Sequence, residues 1–245
     1  MKPLRCKNKE GKIVNVDYQN EFYSLPDMDY FGNYPAPMFE AMFNLHIGPI
    51  NSTTTYYGPF LYWFCRCIGA INVMEIGLAQ GWSSYFLAAA VTDEGNRVQQ
   101  QGMYYGVDVG DKHDLIKKMQ DRGLNAKFIH KDSLELKPED FDNRKMHLIF
   151  QDGWHSTEYV MDELKMLRPH LYDKGHGYWV MHDVYSWCEE AWPKVVADGD
   201  WEYMRFLVNY GLGLFRNMKN YDYNHVHWPD GPQKPAYPNK QQTVQ

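Results

Sequence analysis

Val73-Met-Glu-Ile-Gly-Leu-Ala-Gln-Gly-Trp-Ser-Ser84 decides the fold. Its first four residues complete a short, mostly apolar run that begins at Ile71 and suits a buried strand. Gly77 then permits a sharp turn. Gly81 permits a ligand or the sheet to approach the backbone. Trp82 to Ser84 open a helix, and the N–H groups of its first turn have no partner within the helix. The spacing is Gly-x-x-x-Gly. It differs from the Gly-x-Gly-x-x-Gly that holds a dinucleotide pyrophosphate, and no Gly-Lys-Ser/Thr phosphate loop follows. Glu75, at the strand end, would repel a phosphate and suit a cationic or hydroxyl-bearing ligand.

The same texture repeats outward from this unit. Apolar runs are expected at Tyr104 to Val109, Ala126 to His130, Met146 to Phe150 and Gly177 to Met181. Helices are expected at Trp82 to Val91, Asp111 to Arg122, Thr157 to Leu171 and Glu189 to Asp198, the last interrupted by Pro193. Upstream, a helix starts at Pro59 with Phe60, Phe64, Cys67 and Ile68 on one face, and ends at Gly69. Glu202 to Val208 and Gly213 to Arg216 read as a hairpin. Strands alternating with helices imply an α/β fold: a Rossmann-like, doubly wound, mainly parallel seven-stranded sheet with an antiparallel C-terminal hairpin. Residues 1–57 form a cap or leader, with a strand near Lys12 to Tyr18 and a helix near Ala36 to Leu45. Residues 58–220 form the ligand-binding domain, and 221–245 a polar tail.

In such sheets ligands bind outside the carboxyl ends of the strands. Glu75, Asp108, Asp132, Asp152 and Asp183 end successive apolar runs, so five carboxylates converge there or nearby.

Composition excludes several classes. The 245 residues carry a formal charge of −6, which argues against a nucleic-acid partner. No apolar stretch is long enough to span a membrane. The first twelve residues lack the apolar core of a secretory signal. Four cysteines without zinc or disulfide spacing fit a cytoplasmic protein. Aromatic residues are 16% of the chain. That excess points to packing, to a ring-binding pocket or to both, and to a homodimer or higher homo-oligomer with Tyr56, Tyr57, Tyr62 and Trp63 as contact residues.

Glu75-x-Gly77-x-x-x-Gly81 resembles motif I of the class I S-adenosylmethionine-dependent methyltransferases. The resemblance extends from about residue 58 to 216. Phe150-Gln-Asp-Gly-Trp-His155 and Gly175-His-Gly-Tyr-Trp-Val-Met-His-Asp183 are similar to the small-molecule O-methyltransferase branch. The nearest flavour is the macrolide-sugar, cephalosporin-biosynthesis and rhamnosyl methyltransferase subgroup. The resemblance implies S-adenosylmethionine as cofactor. It implies cofactor contacts from Glu75, Gly77, Gly81, Trp82, Ser83 and Asp152, with Asp108 at the ribose and Asp132-Ser133 at the adenine. Carboxylates there accept from ribose hydroxyls and the adenine amine.

Methyl transfer to an alcohol needs the hydroxyl proton removed, or its pKa lowered by a metal. His155 is the candidate base, because an imidazole titrates near neutrality, and Asp152 is its catalytic neighbour. Asp152, His182 and Asp183 could hold a divalent cation: Mg²⁺, Mn²⁺ or Fe²⁺. The metal-dependent relatives carry an acidic residue where this chain has His182. A histidine suits Mn²⁺, Fe²⁺ or Zn²⁺ better than Mg²⁺, or marks a metal-free site. The sequence therefore implies an O-methyltransferase acting on a small hydroxylated, sugar-like or natural-product acceptor. The alternatives are an N- or carboxyl-methyltransferase and a catalytically silent cofactor-binding partner.

Overall fold

The computed structural model describes residues 4–7, 13–16, 57–206 and 210–222. The expected helix at Ala36 to Leu45, the packed loop before it and the tail beyond residue 222 lie outside these. β1 (Leu4–Lys7) and β2 (Ile13–Val16) form an antiparallel pair. α1 (Gly58–Cys67) then leads into β3 (Asn72–Ile76), α2 (Trp82–Val98), β4 (Met103–Asp108), α3 (His113–Asp121) and β5 (Ala126–His130). β6 (Leu148–Gln151), α4 (Thr157–Leu167), β7 (Tyr178–His182), α5 (Ala191–Ala197), β8 (Trp201–Phe206) and β9 (Leu212–Asn217) complete the order.

The seven-stranded sheet runs β5-β4-β3-β6-β7-β9-β8. β3 to β7 are mutually parallel, and β9 is antiparallel to both its neighbours. The expected Rossmann-like sheet with its terminal hairpin is what forms. The chain steps outward from β3 in one direction through β4 and β5, then restarts on the other side with β6. The switch point lies between β3 and β6, and in such sheets the ligand crevice lies at the carboxyl ends of the strands there.

β3 is buried along its whole length. Its alternation divides two cores. Val73 packs with Tyr104, Leu148, Val180 and Leu214 beneath α1 and α2. Met74 packs with Tyr105, Ile149, Trp179 and Phe215 beneath α4 and α5. Among the described residues no helix is long and apolar enough to cross a membrane.

Several boundaries differ from the sequence reading. α2 runs past Val91 to Val98, because the polar turn beyond Thr92 is neutralised: Glu94, almost wholly buried, pairs with Arg66 at 3.0 Å and with Arg97. α4 stops at Leu167, and Pro169 sits in a 3₁₀ turn at 168–170. Pro193 does not interrupt α5. It lies in the first turn, where no backbone N–H is required of it. The buried face of α1 is Gly58, Leu61, Tyr62 and Cys65 rather than the expected one, and Cys67 is exposed. The reason is tertiary. Phe60 and Phe64 turn toward Phe206 and Tyr178 of the sheet, while Gly58 lies against Phe86 of α2.

Tyr57 and Tyr62 are buried within the chain. Those two rings pack the fold, whereas Trp63 is only partly buried. Tyr56 lies outside the described residues.

Candidate active site

The turn after β3 is built against the protein itself. Gly77 has φ +82° and Gly81 φ +83°, both left-handed. A Cβ on Gly77 would lie 2.7 Å from Gly153 Cα and closer still to the Asp152 carbonyl oxygen. A Cβ on Gly81 would lie 2.6 Å from Leu115 Cδ1 on α3. The two glycines therefore let the β6 loop and α3 close in on the turn.

Glu75 is fully buried on the α2 side of the sheet. Ser83 Oγ donates to its Oε1 and the Tyr104 hydroxyl to its Oε2. Burial pushes this carboxyl up to about 7, against the pull of those hydrogen bonds. Through Ser83 it ties the start of α2 to β3.

Asp108, half-buried at the end of β4, accepts from Leu78 N at 2.9 Å and Gly110 N at 2.7 Å. Each oxygen has taken one backbone donor, and a carboxylate oxygen can accept two. Lone pairs remain for ribose hydroxyls, and the exposed apolar side chain of Val109 follows directly. Asp132 caps the 3₁₀ turn Ser133–Glu135, accepting from Leu134 N at 2.9 Å and from the Tyr159 hydroxyl. Trp82, at the head of α2, packs edge-on against Phe86 at 5.6 Å. Asp108 and Asp132 thus stand as hydrogen-bond acceptors at the ends of β4 and β5.

β6 and β7 deliver the reaction centre. His182 Nδ1 is 2.9 Å from Asp152 Oδ1 and 3.4 Å from Asp183 Oδ2. His155 Nε2 is 3.4 Å from Asp183 Oδ2 and 3.7 Å from Asp152 Oδ1. All four expected residues thus meet at one place. Asp183 adopts φ +61°, a backbone conformation uncommon outside glycine and costly enough to suggest a purpose. Tyr57 donates to Asp152 Oδ2 at 3.1 Å, and its ring lies 4.7 Å from that of His182. Burial and the carboxylate beside it hold the Tyr57 hydroxyl well above its ordinary pKa. Burial opposes a charge on His182, but hydrogen bonds to Asp152 and Asp183 outweigh it and raise its pKa to about 9. The same histidines keep the Asp152 carboxyl low despite its burial.

Asp152, His182 and Asp183 each offer a ligand atom, and these lie within 4.8 Å of one another. His155 Nε2 and His182 Nε2 are buried without a hydrogen-bond partner. Two carboxylates and an imidazole, with unpaired ring nitrogens beside them, fit a divalent cation of the Mn²⁺ or Fe²⁺ type.

Tyr57, Tyr104 and Tyr159 escaped the sequence reading. Each acts through a hydroxyl whose partner is remote in sequence, and no local motif marks it.

The fold and the acidic crevice define a Rossmann-like, cofactor-binding α/β domain. Residues 74–184 match the model of a methyltransferase domain. Similar solved structures include the S-adenosylhomocysteine-bound methyltransferase PaMTH1 of Podospora anserina. It is 13% identical with a TM-score of 0.57, over 85% of this chain and 100% of that one. An O-methyltransferase of Bacillus cereus in complex with S-adenosylhomocysteine is 17% identical with a TM-score of 0.54, over 77% and 94%. A methyltransferase of Geobacter sulfurreducens is 16% identical with a TM-score of 0.54, over 83% and 98%. No curated protein matches the sequence. Residues 74–184 thus match a methyltransferase domain, and the chain has the fold of methyltransferases whose structures hold S-adenosylhomocysteine.

Proposed function

We propose that the protein transfers a methyl group to a hydroxyl oxygen of a small acceptor, with His155 as general base. The convergence of Asp152, His155, His182 and Asp183 at the switch-point crevice carries this reading. S-adenosylmethionine would supply an electrophilic methyl on a sulfonium, and a divalent cation held by Asp152, His182 and Asp183 would supply positive charge that acidifies the acceptor hydroxyl. His155 Nε2 would take the acceptor O–H proton as that oxygen bonds to the methyl, whose former bonding pair would stay on the sulfur. Asp152 and Asp183 stabilise the imidazolium that results. Asp152 is in turn steadied by the Tyr57 hydroxyl. Asp108 and the Asp132-Ser133 turn position the cofactor by accepting its donors.

The acceptor class is a sugar-like or natural-product hydroxyl compound. Trp154 and Trp187 are 69% and 74% exposed in the chain segments that follow β6 and β7. Such indole faces suit the apolar face of a sugar or a flat ring. The subgroup resemblance at Phe150 to His155 points the same way. We take the working unit to be a homo-oligomer that binds neither nucleic acid nor membrane.

The test is transfer of labelled methyl from S-adenosylmethionine to a panel of hydroxylated sugars and phenols. The wild type should methylate an oxygen. His155→Ala should lose about 10²- to 10⁴-fold in turnover and keep its S-adenosylhomocysteine affinity. Methylation only at nitrogen, or full turnover by His155→Ala, would overturn the reading.

A further inference from the structure

The Asp132-Ser133 turn is held from behind by α4. Tyr159 donates to Asp132 Oδ1, and its hydroxyl lies 3.2 Å from Ser133 Oγ. Ser133 Oγ donates to Glu163 Oε1 at 2.5 Å. Tyr159 and Glu163 are four residues apart on one helix, so both reach the same turn. Glu163 is fully buried, and so is Gln151 beside it at the end of β6. Gln151 Nε2 lies 3.4 Å from the Trp154 carbonyl oxygen, the loop residue between Asp152 and His155.

Two acceptors in this cluster, Glu163 Oε2 and Gln151 Oε1, have no hydrogen-bond donor. Leaving both buried and unpaired is costly. The Gln151 and Glu163 side chains are within hydrogen-bonding reach of one another, and a proton on Glu163 would let it donate to Gln151 Oε1. Burial pushes Glu163 up to about 8, against hydrogen bonds with Ser133 and Gln151 that pull it down.

We propose that Glu163 is a positioning residue that links the turn at Asp132-Ser133 to the catalytic loop at Gln151 to Trp154, so that the purine end of the cofactor sets the loop carrying Asp152 and His155. The inference rests on reading Asp132 and Ser133 as the purine end of the cofactor site. Ser133 and Tyr159 hold the turn on one side of Glu163. Gln151 holds the loop on the other. A carboxylic acid suits the central place because it donates through one oxygen and accepts through the other. A glutamine there keeps one donor and one acceptor; a leucine keeps neither.

The test is S-adenosylhomocysteine binding, with the loop followed by the fluorescence of Trp154, taken as the difference from Trp154→Phe. Wild type and Glu163→Gln should bind alike and show the same Trp154 response. Glu163→Leu should bind about tenfold more weakly and, at saturation, lose the Trp154 response. Tyr159→Phe, which keeps the helix packing, should weaken binding about tenfold yet keep the response, because Glu163 still bridges Ser133 and Gln151. A wild-type Trp154 response that persists at saturation in Glu163→Leu would overturn the link. If Glu163→Leu does not fold, a Glu163→Gln protein that has lost the response overturns it instead, and one that keeps it supports it. If the wild type binds no S-adenosylhomocysteine, the cofactor reading fails first and this inference with it. Binding by the wild type with no response from Trp154 sinks the inference alone.

Discussion

Gly77→Ala is the perturbation that most cleanly separates turn geometry from packing in this crevice. Gly77 sits at φ +82°, where an L side chain costs about 1–2 kcal/mol. Its Cβ would also press into backbone: the Asp152 carbonyl and, at 2.7 Å, Gly153 Cα. Backbone cannot rotate away as a side chain tip can, and overpacking of this kind costs about 1–3 kcal/mol. The expected loss is about 2–5 kcal/mol, a large part of the roughly 5–15 kcal/mol that stabilises a domain. Gly123→Ala is the control. Gly123 has φ +79° and nothing within 4 Å of its virtual Cβ, so it should lose only the conformational share of about 1–2 kcal/mol. Urea unfolding of both variants measures the difference, provided the slope m stays constant. Equal losses would refute the claim that the motif glycine is required by its contact with the β6 loop. A surviving Gly77→Ala protein should also bind Mn²⁺ more weakly, because relief of the overlap moves Asp152.

Further outcomes follow from the buried charges and the metal cluster. Glu94→Ala should destabilise by about 3 kcal/mol, since it takes from the half-buried Arg66 a carboxylate partner at 3.0 Å and removes the acceptor that joins α1 to the last turn of α2; thermal unfolding reads it. Arg97, first among its causes, holds the Glu94 carboxyl below its ordinary pKa. The stability from that pair is full above about pH 4.5 and is lost as pH falls through the lowered value. Glu163 has the opposite sign: its pKa rises from 4.5 to about 8, so its contribution is full below about 4.5 and declines until pH 8. Glu75 declines over a range ending near 7. Between pH 7 and 8 the remaining slope is shared by Glu163 and His182, whose pKa is raised from 6.5 to about 9, and Glu163→Gln should reduce it without abolishing it in urea titrations at fixed pH. For the cation, exhaustive chelation should abolish methyl transfer and added Mn²⁺ should restore it; activity that survives chelation rejects metal assistance.

Much of the fold was legible because each parallel strand is short, apolar and closed by a polar stop. Ala126 to His130 forms the strand expected of it, and the hairpin at the sheet edge follows from the Gly-rich turn between two apolar runs. The strand-end rule also located Asp152 and Asp183, and the need for a base and the family resemblance added His155 and His182; the structure brings these four together. What local pattern could not supply was partnership. Glu75 reads as a ligand group at a strand end, yet Ser83 and Tyr104 occupy it inside the core. α2 looks finished at Val91 until Arg66, from a different helix, neutralises Glu94. Gly81 reads as a place where a ligand or the sheet comes close, and the neighbour found against it is Leu115 of α3. Tyr57 reads as one aromatic among many, and only the fold puts its hydroxyl on Asp152.

The central claim is that this crevice receives S-adenosylmethionine, with Asp108 at the ribose. Calorimetric titration with S-adenosylhomocysteine tests it most directly. The account predicts one site per chain, with affinity reduced at least tenfold in Asp108→Ala, which removes the ribose acceptor and leaves Leu78 N and Gly110 N unpaired. Absence of heat with both S-adenosylhomocysteine and S-adenosylmethionine, or equal affinity in wild type and Asp108→Ala, would contradict it.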